Sequence, residues 1–484
     1  MENARKTSAN RLALIVVTTL FFMWGFITCM NDILIPYLKK VFELNYFRAM
    51  LVQFAFFGAY FIGSLTYFIV SATKGDPVLR LGYKKGIIAG LLVSGSALII
   101  FWPAAALHSY ELFLSALFIL GLGFTLLQIT ANPYVAILGP DETASSRLNL
   151  AQGYNSLGTT IAPIIGGYLI FHYFAKYGQP LLNSAGNQIF TDDGAQMTAF
   201  AVQAPYMIFA AMFFVLALIV YKTNLPRVTE GEEVEFSAGA LRYRNLVFGM
   251  IAIFMYVGAE VSIGSIMINY IKQQLNTGEM LAKSYLAFYW GGAMIGRFLG
   301  AISMGSTSQS MQKTLKMIGT AFGVFMLIYL IVYIESGFTF ALSQVYPFAG
   351  FLILNLIAFR IGRSLPHRTL FLFALMNIVL LTTALYTGGL VSMWCIVAIG
   401  LFNSIMWSNI FTLAIRDLGK HTSQGSSLLV MMILGGAIIP LIQGAVADAV
   451  SVHMSFFVPI FSYIYLAFYG KEGYKPRKWN LKKL

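Results

Sequence analysis

A chain of 484 residues that is 58% hydrophobic, 15% aromatic and only 11% charged is too apolar to fold around a core in water and must use lipid as its solvent. Its formal net charge of +13 punctuates the ends of apolar runs instead of gathering on one amphipathic face, so it describes topology and not a phosphate-binding patch, and no nucleic-acid partner is expected. Cys29 and Cys395 both lie inside apolar runs, which excludes a disulfide framework and leaves neither with a set of metal-ligating neighbours. The five histidines, His108, His172, His367, His421 and His453, fall at or near run ends and read as interfacial.

Runs of about 20 apolar residues mark membrane spans. The first, 12–38, lacks a small-residue cleavage site and is longer than a signal-peptide core, so it is read as a retained span. Five more follow, at 49–70, 86–106, 111–138, 149–171 and 201–221. A charged break then runs from Lys222 to Arg244 and contains Glu230, Glu232, Glu233 and Glu235; it is read as a cytoplasmic linker. Eight further runs lie at 245–271, 283–304, 314–334, 338–360, 368–387, 390–415, 425–449 and 453–470. The prediction is an all-α integral membrane protein of about 14 spans, with an N-terminal six-helix bundle at 1–221, a linker at 222–244 and a C-terminal bundle at 245–484.

Alternate threading with the N-terminus inside places about 25 of the 32 basic residues on the cytoplasmic side. These include Lys74, Arg80, Lys84, Lys85, Arg242, Arg244, Arg360, Arg363 and the tail from Lys471 to Lys483. Both termini are therefore expected in the cytoplasm of a bacterium, with the chain multi-pass in its inner (plasma) membrane. The loop Lys176–Ala199, rich in Gly, Asn, Asp and Gln, is expected outside as a mobile cap. The basic string Arg80-Leu81-Gly82-Tyr83-Lys84-Lys85 reads either as a lock on the inner face through contacts to helix ends or as positive-inside anchoring.

Two halves of six spans are the hydropathy signature of the major facilitator fold, whose substrate site lies near the midplane between halves. Four strings narrow this. Asn31-Asp32-Ile33-Leu34-Ile35-Pro36, the run from Thr130 to Pro140 (TANPYVAILGP), the run from Arg147 to Gly158 (RLNLAQGYNSLG) and Tyr256-Val257-Gly258-Ala259-Glu260 together resemble the fucose/proton symporter family, and within it the bacterial glucose/galactose transporter branch. In relatives the span with Gly296-Arg297-Phe298 is followed almost directly by the one resembling Pro366–Tyr386. The resemblance therefore implies an inserted two-helix hairpin at about 314–360 in the second half, read as a lipid-facing structural element, with a partner or regulatory surface as the alternative.

A charged side chain inside a hydrocarbon-length helix costs roughly 3 kcal/mol on insertion scales, so Asp32, Glu260 and Arg297 each need a reason to be there. Arg297 needs a counter-charge, for which Asp32 and Glu260 are the candidates. A neutral sugar needs fixed carboxylates, amides and ring faces in a wet cavity. Gln128 and Asn132, Gln152 and Asn155, and Asn403 and Trp407 each share a helix face; amides that glue helices together are the bland alternative.

The resemblance implies a substrate set of Asn31, Asp32, Gln128, Asn132, Gln152, Asn155, Glu260, Asn403 and Trp407, with ion coupling by Asp32, Glu260 and Arg297. Proton/fucose relatives carry an acid where this chain has Gln128, and an amide cannot titrate near neutral pH. The glucose/galactose branch shares that amide. Relatives more often have Phe-Pro-Thr where Trp407-Ser408-Asn409 stand, which leaves the sugar open.

The function expected is import of a hexose by symport with a proton or sodium through alternating access. Fucose/proton or N-acetylhexosamine symport is the alternative, and drug/proton antiport a more distant one. No enzyme activity, no metal and no cofactor beyond the co-transported ion are expected. The partners expected are the sugar and membrane lipid, with the chain acting as a monomer.

Overall fold

The computed structural model describes residues 2–44, 46–182, 186–190, 197–226, 237–305 and 310–478. Lipid offers no partner to backbone N–H and C=O groups, so an apolar chain must satisfy them inside helices. Among the described residues the only β pairing is a few isolated bridges.

The first half contains α1 (Glu2–Val41), α2 (Tyr46–Lys74), the short α3 (Pro77–Leu81), α4 (Tyr83–Ala106), α5 (Tyr110–Ile137), α6 (Ala144–Tyr168) and α7 (Phe200–Lys222). After the linker come α8 (Arg244–Leu275), α9 (Glu279–Ser303), α10 (Met311–Glu335), α11 (Tyr346–Ile361), α12 (Pro366–Tyr386), α13 (Gly389–Asn403), α14 (Met406–Ala414), α15 (Thr422–Met431), α16 (Gly435–Ala449) and α17 (Val458–Phe468). Eleven helical stretches among the described residues are long and apolar enough to cross a membrane. The other expected spans fall on α6 and α9, which carry polar side chains in their interiors, and on α17, which is bounded by a 3-10 turn at Met454–Phe457 and a π turn at Tyr469–Gly473.

Two expected spans break in their interiors into two α-helices each. The run 390–415 breaks at Ser404–Ile405 between α13 and α14, and the run 425–449 breaks at a 3-10 turn, Met432–Leu434, between α15 and α16. Part of the loop Lys176–Ala199 is held together by its own backbone. Leu181, Ile189 and Met197 are buried and join in a ring of backbone hydrogen bonds, with Leu181 donating to Met197, Met197 to Ile189 and Ile189 to Leu181. The acidic residues Glu230, Glu232, Glu233 and Glu235 lie outside the described residues.

By contact the chain forms two compact units, Met1–Tyr134 with Leu157–Ser237, and Val135–Ser156 with Ala238–Leu484. In the first unit, Asp76 caps α3 and its buried carboxylate accepts from Tyr67 (2.8 Å), Ser71 (2.9 Å) and the Val78 (2.8 Å) and Leu79 (3.3 Å) amides. Beyond it, Lys84 donates to the carbonyls of Tyr221 (2.8 Å) and Thr223 (2.9 Å) at the end of α7, where the helix dipole favours a cation. Lys84, of the basic string, thus makes a contact to a helix end.

In the second unit, glycines let helices meet backbone to backbone. A Cβ on Gly400 of α13 would collide with the Tyr289 carbonyl of α9, and one on Gly435 of α16 with the Phe254 carbonyl of α8. The extra hairpin, α10 and α11, packs through Phe325 and Phe348 on Phe288 of α9 (centroids 6.1 and 5.5 Å), while Phe348 also meets Trp394 of α13 (6.2 Å). Asn355 donates to the Leu401 carbonyl (3.1 Å) and Lys313 to Ser364 (2.7 Å). Most of its other apolar side chains point outward, as a lipid-facing element requires. Excising the hairpin and joining Ser303 to Pro366 is expected to leave initial uptake within about twofold, because lipid can replace apolar contacts that were made outside the main bundle. Loss of transport in a variant that still purifies as a monodisperse protein would refute the structural role.

Candidate functional site

Each unit carries its own polar cluster, and the helices that position them differ. In the first, α5 presents Gln128 and Asn132 one turn apart, both buried. Tyr60 of α2 is hydrogen-bonded to Gln128 and to Trp24 of α1. Asn132 turns its amide onto the Gln128 carbonyl (3.1 Å), while Gln128 Oε1 finds no partner among the described residues. Asn31 and Asp32 lie in the last third of α1, and their side chains are outside the described residues.

In the second unit the charged pair is Glu260 of α8 and Arg297 of α9. Arg297 Nη2 stands 3.7 Å from Glu260 Oε1, with both side chains largely buried. Of the two counter-charges considered for Arg297, Glu260 is the one that faces it within this unit. Arg297 Nε also donates to the Ser404 carbonyl (3.3 Å), left over where α13 ends, and Nη1 donates to Ser156 Oγ. The Tyr256, Tyr289 and Tyr463 phenols all lie within electrostatic reach of the Glu260 carboxylate. Glu260 Oε1 has no hydrogen-bond donor among the described residues, so the carboxylate can still accept.

Asn403, at the end of α13, is wholly buried and hydrogen-bonded to three side chains: Asn377 of α12 (2.9 Å), Tyr463 of α17 (2.8 Å) and Tyr289 of α9 (3.1 Å). One turn on, Trp407 is 7% exposed, stacks on Phe411 (6.2 Å, 25°) and has an indole N–H with no partner among the described residues. An unpaired indole N–H beside an aromatic face can donate to a hydroxyl while the ring covers C–H groups.

The first half of α6 belongs by contact to this second unit. Gly153 packs on Phe298 of α9, whose ring also meets Tyr154 (5.7 Å). Toward the start of the helix, Ser145 bonds Thr412 (2.6 Å), Ser146 donates to the Ala301 carbonyl (2.6 Å) and Asn149 donates to Asn409 (3.3 Å). Gln152 and Asn155 follow on the same segment, immediately before Ser156, which holds Arg297. Of the residues expected from sequence, the second unit thus gathers Glu260 and Arg297, with Asn403 linked to Glu260 through Tyr289. Gln128 and Asn132 share the first unit.

Compared with known proteins, the chain matches the Major Facilitator Superfamily over residues 12–433. The chain belongs to the Major Facilitator Superfamily. A glucose/galactose transporter of Brucella abortus is 44% identical over 468 residues, covering 96% of this chain and 94% of the relative. The L-fucose-proton symporter of Escherichia coli is 29% identical over 462 residues, covering 93% and 90%. A solved structure of the Escherichia coli fucose:proton symporter is 27% identical and superposes with a TM-score of 0.71 over 96% of this chain and 99% of that one. As a facilitator-superfamily member resembling sugar transporters along nearly its whole length, the chain is a multi-pass membrane carrier and not an enzyme.

Tyr289, Tyr463, Asn377 and Ser156 were not singled out by sequence reasoning. Asn377 alone carried a signal, an amide in the interior of an apolar run. Tyrosines in a span read equally well as interfacial anchors, because their amphipathic rings favour the headgroup region.

Proposed function

We propose that this facilitator-superfamily carrier imports glucose or galactose together with a cation, proton or sodium, by alternating access of the bundles 1–221 and 245–484. The observation that carries the substrate is the 44% identity to a glucose/galactose transporter along 96% of the chain. The carboxylate–guanidinium pair ringed by phenols supports the coupling, since a charged pair inside a span is retained for function more often than for stability. Sugar contacts are assigned to Asn31, Asp32, Gln128, Asn132, Gln152, Asn155, Glu260 and Trp407, with ion coupling by Asp32, Glu260 and Arg297. Asn403, expected from sequence among the sugar contacts, has its oxygen and one of its two amide hydrogens engaged and is read as acting through its neighbours. The carrier works as a monomer in a bacterial inner membrane with both termini cytoplasmic, and it uses no cofactor beyond the co-transported ion.

The test is uptake of labelled glucose, galactose, fucose, mannose and N-acetylglucosamine into proteoliposomes, with proton and sodium gradients imposed separately. Accumulation of glucose or galactose under one of the two gradients is expected. Accumulation of fucose alone would move the assignment to the fucose class, and uptake of none of the sugars with cation-sensitive drug efflux would overturn it.

A further inference from the structure

Five helices of the second unit are linked by hydrogen bonds that run through one side chain, Asn403. Asn403 receives two donors on the same atom, Asn377 Nδ2 (2.9 Å) and Tyr463 OH (2.8 Å). That atom must therefore be the amide oxygen, which leaves Nδ2 facing Tyr289 OH (3.1 Å). With its oxygen accepting from Asn403, Tyr289 must send its own proton elsewhere, and it goes to the main-chain carbonyl of Glu260 (2.9 Å). Asn377, Asn403 and Tyr463 are wholly buried and Tyr289 nearly so. The chain of donors thus runs in one direction, from α12 and α17 through α13 and α9 to the α8 carbonyl, with Asn377 Oδ1 the one buried oxygen of these side chains that has no partner among the described residues.

The partner of Glu260 is held from the neighbouring residue. Arg297 Nε donates to the carbonyl of Ser404 (3.3 Å), exposed by the helix break that begins directly after Asn403. The Gly296 backbone approaches Ser404 so closely that a Cβ there would collide with its hydroxyl. Both members of the ion pair are therefore indexed to two consecutive residues: Glu260 through Tyr289 to the Asn403 side chain, and Arg297 directly to the Ser404 main chain.

We propose that the Asn403–Ser404 break is the reference point that sets the Glu260–Arg297 pair, and that Tyr289 is the positioning residue that fixes the rotation of α8 at Glu260. This rests on the reading of Glu260 as a transport-site residue. Tyr289 acts on the pair and touches neither sugar nor ion. Removing its hydroxyl frees the α8 carbonyl from its lateral tether while leaving the carboxylate, the guanidinium and the aromatic ring in place.

The experiment is a double-mutant cycle on hexose uptake in proteoliposomes with Tyr289→Phe, Glu260→Gln and the double variant. Tyr289→Phe is expected to raise the half-saturating sugar concentration about tenfold, the scale of one lost buried hydrogen bond, and to shift the ion dependence of uptake in the same direction as Glu260→Gln. The double variant is expected to transport no worse than Glu260→Gln alone. Should Tyr289→Phe fail to fold, difluorotyrosine introduced at position 289 keeps the shape and strengthens the donor. It is then expected to shift the ion dependence in the wild-type background and not in Glu260→Gln. Losses that multiply in the double variant, or an ion dependence that neither substitution at 289 moves, would show a merely structural tyrosine and overturn the inference. If Glu260→Gln is itself silent, the transport-site reading of Glu260 falls first and the inference with it.

Discussion

Glu260→Gln is expected to abolish the ion dependence of hexose uptake while the variant still reaches the membrane. The amide keeps the size of the side chain and a hydrogen-bonding oxygen, but it carries no charge to set against Arg297, 3.7 Å away. Removing one partner of a buried ion pair typically costs about 3–5 kcal/mol, because the other charge remains buried without compensation, whereas replacing both by neutral groups is often close to neutral. The single variant should therefore unfold at a lower temperature in detergent than the wild type, and the double variant Glu260→Gln with Arg297→Gln should recover most of the loss. Transport separates from stability here: the double variant should be stable and uncoupled. Thermal unfolding followed alongside uptake at several pH values and sodium concentrations checks both. Unaltered affinity and unaltered ion dependence in Glu260→Gln would remove this carboxylate from the site.

Glu260 and Arg297 were legible in the sequence because charges inside spans depart from what lipid allows. The hairpin was legible as apolar runs long enough to span, and its place as an insertion came from the resemblance to relatives that lack it. The breaks in the helices were less legible for opposite reasons. Gly435 and Pro440 mark the region of the α15–α16 break, but glycine and proline are common in membrane helices. The break at Ser404–Ile405 has neither: Phe402-Asn403-Ser404-Ile405 contains no residue that interrupts a helix by itself. Its causes are tertiary, since three partners from α9, α12 and α17 hold the Asn403 side chain and the Arg297 guanidinium takes the Ser404 carbonyl.

The backbone bonding inside the loop after α6 was illegible for a related reason. Its composition is polar, yet Leu181, Ile189 and Met197 fold it around themselves through backbone bonds that composition does not report. The grouping of Val135–Ser156 with the second unit was beyond sequence reading altogether. It follows from the hydroxyls and amides of Ser145, Ser146 and Asn149 meeting groups of α9 and α14, more than 150 residues away in the chain.

Asp32→Asn is expected to reduce the accumulation ratio of sugar to about one while sugar exchange across the membrane continues. Moving one cation inward with a neutral sugar down a potential of about 100 mV releases about 2.3 kcal/mol, enough for a sugar gradient of about fortyfold; without the cation the gradient vanishes. Asp32 is the acid of the first half that sequence reasoning finds inside a span, and the position that could have relieved it of the role carries Gln128, which cannot titrate. Asn preserves the size and a hydrogen-bonding oxygen, so sugar contacts made by the carbonyl survive and the site can still reorient with sugar bound. Counterflow, in which preloaded unlabelled sugar drives entry of label without any ion gradient, should therefore stay within about threefold of wild type, a loss of less than one hydrogen bond's worth of affinity. Full accumulation by the Asn variant would assign the coupling charge to Glu260 alone, and loss of counterflow together with accumulation would make Asp32 a sugar ligand first.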